Sequence, residues 1–198
     1  MRIIFGIAFL CYTTWSLGQI SSNEWHKGIV VTTDQDTISG EIKYDFSTNM
    51  VTLVKNKSVI AFSSHKLIYF EIYDEDYKSY REFYTIPYKN TSNYVTPVLF
   101  ELQYESVLSL LSRENIVMET SSLGYDYGLP IVSQPSVRYD FFFLTKAGKI
   151  TQFSGSKKDL LRILAKKKNE LQTFIKSNRL KTDELRDLVR IIAFYNSI

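Results

Sequence analysis

Thr37-Ile38-Ser39-Gly40-Glu41-Ile42-Lys43-Tyr44 is the stretch that decides the fold class. Ile38, Gly40, Ile42 and Tyr44 alternate with Thr37, Ser39, Glu41 and Lys43. A period of two places the first set on one face of an extended strand and the second on the other. Such a strand needs a core under one face and tolerates water on the other. Upstream, Gly28–Thr33 is rich in β-branched residues and Asp34-Gln35-Asp36 offers turn chemistry, so Gly28–Tyr44 reads as a β-hairpin.

The same period continues outward. Met50–Val54 and Ser58–Phe62 read as short strands around Asn56-Lys57, and Leu67–Tyr73 and Tyr77–Ile86 flank Asp74-Glu75-Asp76, expected to be a solvated hairpin tip. Pro87 is expected to end its strand because it cannot donate to a ladder. Val98, Phe100, Leu102 and Tyr104 form a further apolar row, and Val107–Arg113 returns after Glu105-Ser106. Val137, Tyr139, Phe141 and Phe143 form another row, and Lys146-Ala147-Gly148-Lys149 turns the chain into Ile150–Phe153. Short turns between successive strands imply antiparallel, meander-like pairing. The aromatic set Tyr69, Phe70, Tyr73, Tyr80, Phe83, Tyr84 and Phe141–Phe143 reads as core and cross-strand pairs.

At Gly155-Ser156 the period changes. Ser156 with Asp159 three residues on resembles a capping box, and Leu160, Leu164, Leu171 and Ile175 recur near helical spacing. Lys166-Lys167-Lys168 is expected to break this helix, with Asn169 as a second N-cap and Asn178 as a stop. Thr182 is expected to cap a last helix with the stripe Leu185, Leu188, Val189, Ile192 and Tyr195. The expectation is an α+β protein: an antiparallel meander, as an open sheet or partly closed barrel of roughly eight to ten strands, then two or three amphipathic C-terminal helices. Residues 20–154 form the β domain, and 155–198 pack on it as part of one globular unit.

The chain begins with the features of a signal peptide, assigned to residues 1–19. Arg2 precedes the apolar run Ile3–Tyr12, and Ser16-Leu17-Gly18 places small residues at a cleavage site. Export is expected, to the periplasm, the outer-membrane surface or the medium. The apolar run is far shorter than the roughly 20 residues of a membrane-spanning helix, and no later segment suffices, so no transmembrane segment is expected after cleavage. The single Cys11 lies in this leader, so the mature chain is expected to rely on its core rather than on disulfides.

The 198 residues carry a formal charge of +3, which hides a division. Glu24–Leu144 holds 10 Lys and Arg against 16 Asp and Glu, a net of −6. Thr145–Ile198 holds 13 against 5, a net of +8. The basic tail is expected partly to complement the acidic body, and Lys166, Lys167 and Lys168 are candidates for weak contact with anionic surfaces. Nucleic acid is not expected as a partner, because no recognition motif accompanies the charge.

Trp25-x-Lys27-Gly28-Ile29-Val30, Asp36-Thr37-Ile38-x-Gly40-Glu41-Ile42-x-Tyr44, Phe100-Glu101 before a hairpin and the helical end Phe194-Tyr195-Asn196-Ser197 resemble a group of uncharacterised secreted proteins common in Bacteroidota. Gln35 departs from the Gly often found after the aspartate of such hairpins. The resemblance implies export in a Gram-negative cell and brings no known activity.

Catalytic chemistry has few candidates. The two histidines, His26 and His65, and one Cys are too few for a Cys/His metal site, so no metal and no cofactor is expected. Ser64-His65 lacks the G-x-S-x-G turn of a serine hydrolase, and the acidic triplet lacks the spacing of a calcium loop. Ser121–Ser136 reads as a long loop in which Tyr125 and Tyr127, flanked by Gly124 and Gly128, offer rings for a glycan or an envelope protein. The expected function is a non-catalytic binding or structural module of the cell envelope. The alternatives are a small-ligand carrier with a barrel-mouth cavity and a hydrolase.

Overall fold

The computed structural model describes residues 24–75, 78–89, 94–120 and 133–198. Residues 1–19, where a leader and its cleavage site are expected, lie outside them, as do Asp76 and Tyr77. Among the described residues ten strands form one antiparallel sheet: β1 His26–Thr32, β2 Thr37–Asp45, β3 Met50–Lys55, β4 Ser58–Ser63, β5 Leu67–Asp74, β6 Ser79–Lys89, β7 Val95–Tyr104, β8 Leu108–Thr120, β9 Ser133–Thr145 and β10 Ile150–Phe153. Three helices follow: α1 Lys157–Ile163, α2 Lys168–Ser177 and α3 Leu185–Ser197. The protein is therefore α+β, with a ten-stranded open antiparallel sheet. None of the described helices is long and apolar enough to cross a membrane.

The strand order is β4-β3-β2-β1-β5-β6-β7-β8-β9-β10. Every neighbouring pair except β1–β5 is consecutive in the chain, and a 3-10 turn at Ser64–Lys66 carries the chain from β4 back to the free side of β1. Gln35 takes the left-handed conformation between β1 and β2 (φ 67°), the role that Gly often fills. Gly28 and Gly40 stand opposite each other in β1 and β2. A Cβ on Gly28 would lie 2.0 Å from the Glu71 carbonyl oxygen, and one on Gly40 2.4 Å from that of Val54. Neighbouring backbone fills both places, so only glycine fits.

Across β6–β9, Phe83, Glu101, Ser112 and Phe141 stand in line on one face. That face carries two apolar clusters. In the first, Val30, Ile42, Val51, Leu53, Phe70, Ile72, Phe83 and Leu99 pack together from β1, β2, β3, β5, β6 and β7. Phe70 and Phe83 stack at 4.4 Å, and Tyr44 tilts against both. Contact between β3 and β7 residues requires the sheet to curl. The curl is fastened at the β2–β3 turn, where Asn49 Nδ2 donates to the Pro97 carbonyl at 3.5 Å and Oδ1 accepts the Leu99 N–H at 3.3 Å.

Asn49 can reach β7 because β8 leaves it there. The β7–β8 ladder runs only from Glu101↔Ser112 to Tyr104↔Leu110, with a register shift around Gln103. Beyond Ser112, β8 continues with β9 alone as a two-stranded ribbon to Thr120↔Ser133.

The second cluster joins Leu108, Leu110, Phe141, Phe143 and Phe153 of the sheet to Leu160, Leu164, Leu171, Ile175, Leu188, Ile191 and Ile192 of the helical segment. Each buried Leu, Ile or Phe contributes about 1.5–3 kcal/mol relative to exposure. Phe174 and Phe194 stack at 4.0 Å between α2 and α3. Asn196 of α3 accepts the Leu108 N–H at Oδ1 and donates from Nδ2 to the Leu108 carbonyl, both at 3.0 Å. A smaller cluster of Val98, Phe100, Leu111 and Phe142 occupies the other face.

Several expectations need correction. Pro87 does not end β6. It stands opposite Pro97, and since neither proline can donate, the pair occupies a non-hydrogen-bonded position of the ladder, where nothing is lost. Of the loop expected at Ser121–Ser136, Ser133–Ser136 belong to β9, and residues 121–132 lie outside the described residues. Asp74 is not solvated: it is 1% exposed at the end of β5. The Ser156 cap forms as expected, accepting the Asp159 N–H at 3.2 Å, while Asp159 Oδ2 accepts the Ser154 N–H at 3.0 Å. Asn178 is the C-cap of α2, but Asn169 lies inside that helix, whose N-cap position is Lys167. Thr182 does not cap α3. It is buried and donates to the Gly155 carbonyl at 2.7 Å, while Glu184 occupies the N-cap position.

Candidate functional site

Between the two clusters on the inner face lies a polar centre. Arg81 of β6 donates to both Glu101 oxygens (2.6 and 2.7 Å) and to Glu114 Oε1 (2.7 Å). Their side chains are only 12%, 8% and 7% exposed. Ser112 Oγ donates to Glu101 Oε2 at 3.4 Å, and Gln103 Nε2 donates to Ser112 Oγ at 2.9 Å. Burial pushes the Glu114 carboxyl above the usual range, although Arg81 opposes the shift. One arginine does not fully compensate two buried carboxylates. Burial alone would lower the Arg81 guanidinium, but its bonds to Glu101 and Glu114 more than reverse that, and it stays charged.

Next to this centre the β8–β9 ribbon leaves the sheet. Arg113 lies 5.9 Å over the Phe100 ring, and its Nε is buried without a hydrogen-bond partner among the described residues. The Tyr44 hydroxyl is raised well above its ordinary value by burial, even though the neighbouring Arg113 acts to lower it. An open cleft of about 340 Å³ here is lined by Phe46, Ser47, Arg113, Glu114, Ile116 and Asp140.

The outer face of β5 and β6 carries an ordered ladder. Tyr69 stands opposite Tyr84, Glu71 opposite Glu82, and Tyr73 opposite Tyr80. The Tyr69 hydroxyl donates to Glu71 Oε2 at 2.5 Å and that of Tyr84 to Glu82 Oε2 at 3.0 Å. Burial and the bond to Glu82 push the Tyr84 hydroxyl up to about 12. Tyr69 is raised further, for the matching reasons at Glu71. Both hydroxyls therefore stay protonated donors at neutral pH. A cleft of about 400 Å³ beside the ladder is lined by Lys27, Ile29, Glu71, Tyr73, Glu75 and Tyr80.

Of the residues singled out from sequence, Tyr125 and Tyr127 lie outside the described residues. The lysine triplet does interrupt the helix, since a 3-10 turn at Ala165–Lys167 separates α1 from α2. It does not form one surface. Lys166 and Lys168 are exposed, whereas Lys167 turns onto α3, donating to the main-chain oxygens of Tyr195 (3.0 Å) and Ile198 and lying 4.9 Å over the Tyr195 ring. Ser64 is buried while His65 is exposed, so the two share no cleft. No group of three or more His, Cys, Asp or Glu converges among the described residues.

Sequence reasoning missed the polar centre and the outer ladder. The ladder had a readable sign, because Tyr69-x-Glu71 and Glu82-x-Tyr84 are mirror images across one hairpin. The sign of the polar centre was Arg81 two residues before the core residue Phe83 on the same face, and Glu114 in the same alternation as Leu110. Comparison with family models, curated proteins and solved structures finds no match to this chain.

Proposed function

We propose that the protein is an exported, non-catalytic binding or structural module of the cell envelope. The observation that carries this reading is that the two apolar clusters fill most of the inner face, leaving an open cleft of about 630 Å³ at its margin beside Tyr139, Phe141 and Phe153. Val30, Ile42, Val51, Leu53, Phe70, Leu110, Leu160, Leu171 and Leu188 are closed to solvent. The Arg81, Glu101 and Glu114 side chains on that face are bonded to one another. Binding capacity therefore lies on the outside, on the tyrosine–glutamate ladder, the β8–β9 ribbon and the sheet edges. Ile116 and Met118 of the ribbon are exposed, which suits contact with a partner.

The test is affinity capture from fractionated envelope extracts with the mature protein as bait. Specific retention of an envelope protein or glycan is the expected result. Saturable uptake of an apolar fluorescent probe would point to a carrier. Turnover of ester or glycoside substrates that survives repurification would point to a hydrolase.

A further inference from the structure

β4 forms one outer edge of the sheet. Its hairpin with β3 turns on Asn56 and Lys57, both with positive φ (49° and 65°), the signature of a two-residue type I′ turn. The residues flanking such a turn, here Lys55 and Ser58, exchange both main-chain hydrogen bonds, and the bonding then alternates along the ladder. Leu53↔Ile60 and Val51↔Phe62 are bonded pairs on this count. The N–H and C=O groups of Val59 and Ala61 therefore point away from β3, to a side on which no described strand lies.

Proteins ordinarily shield such an edge with charge, proline or brevity. The opposite side of the sheet does so: β10 has four residues, and β9 beyond it carries Pro135 and Arg138. β4 does not. Ser58-Val59-Ile60-Ala61-Phe62-Ser63 has neither charge nor proline, and Ser58–Ala61 are exposed, with Val59 at 68%. The charges stand at its ends. Lys55 and Lys57 lie exposed at the hairpin tip, and Lys66 lies exposed just past Ser63.

We propose that the β4 edge accepts an extended polypeptide as an eleventh strand, with apolar residues at alternate positions and acidic residues at both ends. Main-chain bonds to Val59 and Ala61 supply the register, Val59 and Ile60 supply apolar contact on the two faces, and the basic ends select the charge. A second copy of this chain fits less well. A two-fold axis at Ile60 sets Lys57 opposite the partner's Ser63, close to a second Lys66, so basic ends face basic ends. The proposal gives the binding-module reading a surface and a partner class, and it rests on that reading.

The probe is the labelled peptide acetyl-Glu-Val-Thr-Val-Thr-Val-Glu-amide, compared by fluorescence anisotropy with a version carrying Lys at both ends. The acidic peptide is expected to bind at least about tenfold more tightly, with the preference collapsing near 0.5 M salt. Bound peptide slows amide exchange at Val59 and Ala61 in the wild-type protein. Ala61→Pro weakens binding about tenfold at unchanged Tm, because the N–H it removes has no partner in the β3 ladder. Lys57→Glu with Lys66→Glu reverses the peptide preference. Equal binding of the two peptides, absence of binding, or no added protection at Val59 and Ala61 overturns the proposal. So does a concentration-dependent dimer that Ala61→Pro abolishes. If Ala61→Pro still captures the wild-type envelope partner, this site is wrong and the module reading stands; if the wild type captures nothing, the reading itself fails.

Discussion

Asn49 takes the place of a strand beside Leu99. Its side-chain amide, accepting the Leu99 N–H and donating to the Pro97 carbonyl, reproduces the bonding of a neighbouring backbone where β8 has already left. Asn49 itself has φ 58°, a conformation that asparagine and glycine adopt more readily than other residues.

Two substitutions separate these roles. Asn49→Gly keeps the backbone conformation and deletes both bonds, and is expected to cost about 1–3 kcal/mol by leaving the Leu99 N–H without its partner. Asn49→Ala adds the strain of a left-handed Cβ and should be the less stable of the two. Chemical denaturation of both variants measures the difference; equal stability of Asn49→Gly and wild type would show that the curl holds without this fastening.

The two glutamates bound to Arg81 should respond differently. Glu101 holds the guanidinium through both oxygens, so Glu101→Gln is expected to destabilise by about 3 kcal/mol, as when one partner of a buried pair is removed. Glu114→Gln is expected to cost less than Glu101→Gln, because burial disfavours the Glu114 charge that this change removes. The sign follows from the raised carboxyl. The native state holds a proton that the unfolded chain releases, so this stabilisation is complete below the ordinary carboxyl value of 4.5 and is lost as pH rises through the folded value. Wild type should therefore lose stability relative to Glu114→Gln on going from pH 4 upward, as followed by urea midpoints across the range.

Gly28→Ala should be among the most damaging small substitutions. The added methyl would meet the main-chain oxygen of Glu71 at 2.0 Å, and a backbone atom of the central β1–β5 ladder cannot swing aside as a side chain would. A loss of about 2–4 kcal/mol is expected. Ser39→Ala on the exposed face of neighbouring β2 should change Tm by less than about 1 °C. Thermal unfolding of the pair tests the crowding.

Removal of the chain after Gly155 uncovers Leu108, Leu110, Phe141, Phe143 and Phe153. Five such residues at about 1.5–3 kcal/mol each exceed much of an ordinary domain's stability of about 5–15 kcal/mol, so the remnant should aggregate or fail to fold. Asn196→Ala is the milder form, deleting the two hydrogen bonds to Leu108 for about 1–3 kcal/mol. A monomeric remnant with an unchanged melting temperature would show that the helices are a detachable unit.

Most of the sheet was legible because each strand declares its inner face by alternation. Ile38 to Tyr44 did so most clearly, and the helical stripe from Leu160 to Ile192 did so at the other period. What the alternation does not carry is cross-strand register. Arg81, Glu101 and Glu114 meet only because the shift around Gln103 sets Ser112 opposite Glu101, and a one-residue difference would send them to opposite faces. Thr182 and Asn169 look like caps from their own chemistry, but Thr182 is recruited by Gly155 across the chain. Lys167 was inseparable from its neighbours in sequence, and only the return of α3 gives it a partner.

The order of strands across the sheet also bears on how the chain assembles. β1 to β4 pair in chain order without a later strand between them, and each strand from β6 to β10 docks on the one completed just before it. A polypeptide emerging with its amino end first can thus build its sheet progressively, waiting once, at β5, for the chain to come back to β1. α3, which joins the cluster of Leu108 and Phe143, follows every strand in the chain, so this part of the inner surface stays open until the whole sheet has been made. That interval is when a holding chaperone would matter most to this protein.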